Sequence, residues 1–248
     1  MDNQFILLSA IAATFVVAGL VKGVTGMGLP TVAMGVLGAL ISPLAAASLL
    51  IVPSFVTNVW QLAAGPNVGT VLRRFWPMML AILIGTVGAS SLLAEGNTAV
   101  TTGALGAALV VYAGFTLFAR QLRVPAGVEP WLSPVVGLVT GIVTGGTGVF
   151  VIPAVPYLQS LGLEKDELVQ ALGLSFTVST IALAAGLALR GAYDPGNLWI
   201  SALALIPALI GMWAGQAARN RISPPTFRRW FLLALLILGM EMLLRPFV

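Results

Sequence analysis

Apolar and polar positions divide the chain into ten apolar segments, roughly 5–21, 29–42, 44–64, 75–94, 98–119, 132–144, 149–162, 168–189, 197–218 and 226–244. A helix needs about 20 apolar residues to cross the hydrocarbon core of a bilayer. Most of the segments meet that length and predict membrane-spanning helices. Segments 29–42, 132–144 and 149–162 fall short of it, and Pro30, Pro153 and Pro156 interrupt them further. These short segments flank two Gly-rich stretches, Gly19–Pro30 (GLVKGVTGMGLP) and Gly137–Pro153 (GLVTGIVTGGTGVFVIP). Each Gly costs a helix about 1 kcal/mol relative to Ala. Gly19, Gly23, Gly26 and Gly28 therefore predict a broken helix, with half-helices or a re-entrant hairpin in place of a clean span.

The two stretches belong to a longer repeat. Gly19, Leu20, Val21 and Gly23 recur as Gly137, Leu138, Val139 and Gly141, and Val24–Gly26 recurs as Val143–Gly145 with one residue inserted. Ser54-Phe55 matches Ser175-Phe176, and Leu62–Gly65 matches Leu183–Gly186. An ordered series of matches predicts two related halves. They are an N-terminal repeat over 1–122 and a C-terminal repeat over 132–248, joined by the polar linker 123–131 into one transmembrane domain.

Composition supports the membrane reading and narrows the chemistry. Of 248 residues, 58% are hydrophobic and 8% charged, against about 25% charged in a soluble domain. The net charge of +4 is carried mainly near segment ends and reads as membrane topology, not as a nucleic-acid surface. Cys and His are absent. Their absence excludes disulfides and Cys sites, and it removes the commonest metal ligand and the usual general base. An enzyme and a bound cofactor are therefore not expected. The start, MDNQ, has no Lys or Arg, so the first apolar run reads as a retained membrane helix and not as a signal peptide.

Lys and Arg favour cytoplasmic loops. If each half crosses the membrane an odd number of times, Arg73/Arg74, Arg120/Arg123, Arg219/Arg221 and Arg228/Arg229 share one side, leaving Arg190 and Arg245 opposite. An even number splits the pairs. The odd count predicts inverted repeats of about five segments each, both termini outside and a cytoplasmic linker. The predicted fold is thus an all-α integral membrane protein whose helices break at Gly-rich motifs near the midplane. Paired breaks of this kind mark the substrate site of duplicated transporters.

Candidate binding groups follow from that architecture. The broken backbone at Gly26, Gly28, Gly145, Gly146 and Gly148 exposes N–H groups at a helix start, which suits an anion, and Thr25, Thr144 and Thr147 add hydroxyls. The alternative for the glycines is close helix packing, since Gly19/Gly23 and Gly137/Gly141 are GxxxG pairs. Lys22 either attracts an anion or snorkels to the headgroups from near the end of its helix, and that position tips the reading toward snorkelling. Ser54, Thr57, Asn58 and Gln61 share one helix face, with Ser175, Thr177, Ser179 and Thr180 in the copy. They either line a cavity or hold helices together; the amides Asn58 and Gln61 are the better candidates. The Trp residues read as interfacial anchors, with Trp213 deeper. Seven of the eight acids, Asp194 among them, lie in termini or loops, and Glu241 lies near the outer end of the last segment. No carboxylate sits at mid-membrane to hold a cation or relay a proton, so an anion is the expected cargo.

The paired motifs, the Gln170-Ala171…Ser175 start of a helix after the second motif, and the two-half layout resemble the TauE/SafE sulfite exporter family over essentially the whole chain. The first copy departs from the longer Gly run common there by reading Gly26-Met27-Gly28. The resemblance implies a bacterial inner-membrane permease for sulfite, sulfonates such as sulfoacetate, or related sulfur oxyanions, with binding residues in Lys22–Pro30 and Thr144–Pro153. An ion-coupled importer of a small organic acid or sulfonate is the nearest alternative.

Overall fold

The computed structural model describes residues 2–118, 123–125, 127–193, 196–219, 221 and 223–245. Arg120 and Asp194 lie outside them. The described residues form ten helices and no strand: α1 (Asp2–Thr25), α2 (Leu29–Leu40), α3 (Pro43–Ala63), α4 (Val68–Ala94), α5 (Thr98–Phe118), α6 (Glu129–Thr147), α7 (Ala154–Ser160), α8 (Lys165–Leu189), α9 (Gly196–Ala218) and α10 (Pro224–Leu244). Six of them, α1, α3, α4, α5, α8 and α9, are long and apolar enough to cross a membrane. The chain is a multi-pass membrane protein. Its outer faces carry Phe5, Leu83, Ile84, Ile206, Ile210 and Ile237, all exposed, and all six Trp are exposed as well, Trp213 included. Such a surface suits lipid and not water.

The helix ends sort into two groups. Arg74 at the start of α4 pairs with Glu129 at the start of α6 (2.7 Å) and with Glu167 at the start of α8 (3.0 Å). The Asn67 N–H, in the turn after α3, donates to Gln170 of α8. α1 lies alongside α9 with Gly19 near Ala208 and Gly23 near Gln216, so these two helices finish together. Thr25, Arg219 and Arg228 then line one cavity at that finish. This basic end of the bundle gathers Arg73, Arg74, Arg123, Arg219, Arg221, Arg228 and Arg229. At the far end, Arg190 after α8 pairs with Glu95 after α4 (3.2 Å), and Arg245 pairs with Glu241 and donates to the Ala39 carbonyl at the end of α2.

Glycine makes the central packing possible. A methyl group on Gly19 or Gly23 would collide with the Ala208 or Met212 carbonyl of α9, and one on Gly137, Gly141 or Gly145 with the Met78, Ile82 or Thr86 carbonyl of α4. Gly211 and Gly215 of α9, and Gly85 of α4, return the same close approach. Bare backbones thus touch at two matched interfaces, α1 on α9 and α6 on α4, where small residues let membrane helices gain van der Waals contact.

This packing corrects two expectations. The first break is not spread over Gly19–Gly28, because α1 runs unbroken through Gly19 and Gly23 and stops at Thr25. α6 is likewise a near-complete span, running through Gly137, Gly141, Gly145 and Gly146 to Thr147. The breaks are confined to the left-handed glycines Gly26 and Gly28 (φ 81° and 106°) and Gly148 (φ 71°). The register of the repeat also shifts. Gly26 follows Gly23 by three residues whereas Gly148 follows Gly141 by seven, so α6 carries about one extra turn. Gly26 corresponds in conformation to Gly148 and not to Gly145.

After the breaks come the short helices. α2, of 12 residues, spans about 18 Å at 1.5 Å per residue, well short of the roughly 30 Å core. α7 has 7 residues and follows a non-helical stretch, 148–153. Within α3, Pro53 cannot donate to the Leu49 carbonyl. Ser201 of α9 does so instead (2.8 Å) and accepts from the Val52 N–H (3.1 Å). A neighbouring hydroxyl therefore repairs the ladder just before Ser54, Thr57 and Asn58.

Gly141→Ala should destabilise the protein by about 1–3 kcal/mol through overpacking. Gly88→Ala, which meets open space on α4, should be neutral or stabilising by up to about 1 kcal/mol. Denaturant titration in detergent checks both, and equal effects would remove the interface argument.

Candidate functional site

Lys22 lies on the last turn of α1, where the 3.6-residue period turns it away from the exposed face and toward α3. It is 5% exposed. Its Nζ donates to Thr57 Oγ1 (3.2 Å) and to Asn58 Oδ1. The expectation that Lys22 snorkels to the headgroups is therefore wrong, because the chain folds it inward across the α1–α3 contact. No carboxylate pairs with it among the described residues. Removing an ammonium group from water costs several kcal/mol even after relaxation, and here only neutral dipoles answer it.

Those dipoles are ordered. Asn58 turns its carbonyl to Lys22 and donates from Nδ2 to Ser54 Oγ (3.0 Å), and Ser54 meets Thr180 Oγ1 of α8 at 3.0 Å. Thr180 donates its own proton to the Phe176 carbonyl (2.7 Å), so Ser54 must donate to Thr180. Thr57 likewise donates to the Pro53 carbonyl (2.8 Å) and offers its lone pairs to Lys22. The network joins α1, α3 and α8, and the oxygens of Thr57 and Asn58 turn their lone pairs to Nζ.

On the side of α8 that Gly186 turns toward α4, away from Thr180, lie two buried hydroxyls one turn apart, Ser175 and Ser179, and neither has a hydrogen-bond partner; Thr31 of α2 and Thr86 of α4 are buried and unpartnered too. Buried polar groups normally find partners. Hydroxyls left over in the interior of the bundle are donors that fit the oxygens of an anion.

The motif threonines are already engaged. Thr25 Oγ1 reaches the Val21 carbonyl (2.8 Å) and the Met27 carbonyl (2.7 Å) and accepts from the Met27 N–H (3.3 Å). Thr147 repeats this at the end of α6, donating to Val143 O (2.7 Å) and accepting from the Val149 N–H (3.2 Å). Thr144 donates to Thr140 O (2.7 Å). These hydroxyls pin the breaks, satisfying backbone groups that a helix end leaves open.

The glycines divide. Gly145 packs on α4, Gly146 lies against Leu92, Gly148 is covered by Met34 of α2, and Gly28 lies against Val21. Only Gly26 faces open space. Gln61 donates to the Val169 carbonyl (2.9 Å) and Gln170 to the Leu62 carbonyl (2.9 Å), so both amides tie α3 to α8. The structure thus brings Lys22 and Asn58 to the junction of α1, α3 and α8, while Ser175 lies on the opposite side of α8, the one that meets α4. Thr25, Gly26 and Gly28 form the adjoining break, and Thr144–Gly148 shape α6 and its end.

Two cavities open at the basic end. One, about 230 Å³, lies against the first break and is lined by Val24, Thr25, Met27, Tyr112, Arg219 and Arg228 among others. A larger one, about 660 Å³, runs past Pro153, Pro156 and Tyr157 beside the second. Tyr112, Arg219 and Arg228 were not legible as site residues, because the arginines read only as topology markers and Tyr112 sits in an unremarkable apolar run. Among the described residues no three of Asp, Glu, His or Cys cluster to hold a metal.

Ser175→Ala should leave stability within about 0.5 kcal/mol, since no partner is lost, whereas Asn58→Leu strands Lys22 and Ser54 and should cost about 3 kcal/mol or more. Unfolding in detergent measures both, and an Asn58→Leu protein as stable as wild type would show that the network is not formed.

Neither curated proteins nor solved structures matched the chain. The family model described as "Sulfite exporter TauE/SafE" matches residues 11–242, which takes in both motifs, the Lys22 network and all or most of each of the ten helices, and the chain belongs to that family of membrane transporters.

Proposed function

We propose that this protein exports a sulfur-containing anion, namely sulfite, a sulfonate such as sulfoacetate, or a related oxyanion, through the bacterial inner membrane. The observation that carries the reading is Lys22, a buried cation with no carboxylate partner among the described residues. A cation site would place a carboxylate there. An ammonium held by Asn58 and Thr57 completes its pairing when an anion arrives. The remaining candidates, Thr25, Gly26, Gly28, Gln61, Thr144, Gly145, Gly146, Thr147 and Gly148, hold the two breaks and their neighbouring helices in the shape that admits it. The family match supports the sulfur oxyanion as cargo. The protein acts as a transporter and not as an enzyme, in contact with a small anion and with lipid.

In this proposal the chain is two inverted repeats, 1–122 and 132–248, with 123–131 between them. The matched interfaces of α1 on α9 and α6 on α4 support it, because exchanging the halves exchanges one interface for the other. The gathering of arginines at one end supports a cytoplasmic linker and both termini outside. The interior-negative potential then drives an anion outward by about 2.3 kcal/mol per charge per 100 mV, with no relay required. The second reading, an ion-coupled importer of a small organic acid or sulfonate, uses the same site with the opposite net flux.

Liposomes containing the protein, loaded with labelled sulfite or sulfoacetate, separate the two. Efflux should rise with an imposed potential at zero pH gradient and saturate with substrate. Flux that follows a pH gradient at zero potential would instead support the coupled importer.

A further inference from the structure

The two cavities at the basic end share one residue. Arg228, on the first turns of α10, lines the cavity beside the first break together with Thr25, Met27, Tyr112 and Arg219, and it also lines the cavity beside the second break with Pro153, Pro156 and Tyr157. Of the described residues lining either cavity, Arg219 and Arg228 alone are charged, and none is acidic. Thr25 is one helical turn beyond Lys22, so the smaller cavity adjoins the turn that carries the buried ammonium. Its volume of about 230 Å³ accommodates a small oxyanion with several waters, each occupying about 30 Å³.

We infer that Arg228, with Arg219, forms an anion-capture site at the basic end, a second binding station that loads sulfur oxyanions toward the breaks before they reach Lys22. A guanidinium offers five donors in a planar fork that matches the paired oxygens of such a group, and a low-dielectric cavity wall concentrates its field. The Tyr112 hydroxyl supplies a further donor on the same wall.

Among the described residues the far end has no equivalent. On the two-repeat reading, α4 and α5 there correspond to α9 and α10. Glu95 follows α4 where Arg219 follows α9, and Thr102 is the fifth residue of α5 as Arg228 is of α10. Glu95 is taken up by Arg190 (3.2 Å) and Thr102 is buried. Capture is therefore one-sided, which gives a symmetric scaffold a loading face on the side where the proposed cytoplasmic charges lie. This station deepens the anion-export reading and rests on it for the identity of the anion.

The test uses the full chain in lipid nanodiscs treated with phenylglyoxal, with modification of each arginine followed by peptide mass analysis. Sulfoacetate should slow modification of Arg219 and Arg228 about fivefold or more, while Arg190 and Arg245 at the far end keep their rates. Unchanged rates at Arg219 and Arg228 would overturn the capture site, whatever the flux assay shows. Protection without sulfoacetate or sulfite flux would instead leave the site standing and remove the export reading. In liposomes, Arg228→Gln should raise half-saturating sulfoacetate about tenfold from the basic face only, as expected for loss of one charge-assisted contact, with the maximal rate unchanged and Arg228→Lys partly restoring it. An equal shift from both faces would contradict one-sided capture.

Discussion

Lys22 puts an ammonium group inside a helix bundle whose outer surface faces lipid, and much of the rest of the structure is arranged around that group. α3 is positioned to present Asn58 and Thr57 to it. α3 in turn depends on Ser201 to repair the backbone at Pro53, and on Gln61 and Gln170 to fasten it to α8. The hydrogen-bond directions are fixed by proton counting from Thr180 through Ser54 to Asn58, so the network cannot reverse without breaking contacts. A half-satisfied buried charge is unfavourable in an apolar interior. Here it is retained where an anion of small size would complete it.

The second constraint is steric. Backbone contact of α1 with α9 and of α6 with α4 requires glycine at facing positions, and it fixes where the two helices stop relative to their neighbours. Because α1 and α6 are clamped along their length, each ends sharply at a left-handed glycine, Gly26 or Gly148. The hydroxyl of the preceding threonine closes the last turn. The breaks are thus set by packing on one side and by Thr25 and Thr147 on the other. The motifs combine a clamp and a break, where the sequence offered the two as alternatives.

Much of the fold was legible because lipid imposes simple rules. The ten segments stand within a few residues of the ten helices, apart from the non-helical stretch before α7 and the start of α4, which begins at Val68, seven residues before its segment. Arg73, Arg74, Arg219, Arg221, Arg228 and Arg229 gather at one end of the bundle, and the number of crossings inferred from their spacing stays a proposal. The GxxxG spacing marked Gly19/Gly23 and Gly137/Gly141 as packing candidates, but that Gly145 packs on α4 as well, and is no part of the break, was not legible until the neighbouring helix is in place. The position of Lys22 near a helix end pointed to the headgroups, and only the azimuth of α1 against α3 turns it inward. Gln61 looked like a cavity amide because a helix face does not reveal which side meets another backbone. The extra turn of α6 was hidden by the repeated Val-Thr-Gly, which drew the alignment to Gly145 instead of Gly148.

The claim on which the account stands is that the Lys22 ammonium pairs with the transported anion. Calorimetric titration of sulfoacetate into the detergent-purified chain tests it directly, with Lys22→Met beside wild type and a thermal melt confirming that both are folded. The account predicts saturable binding to wild type and an affinity at least about tenfold weaker in Lys22→Met, as for loss of a charged hydrogen bond. Equal affinity in a folded Lys22→Met protein would contradict it and leave Lys22 as a purely structural cation.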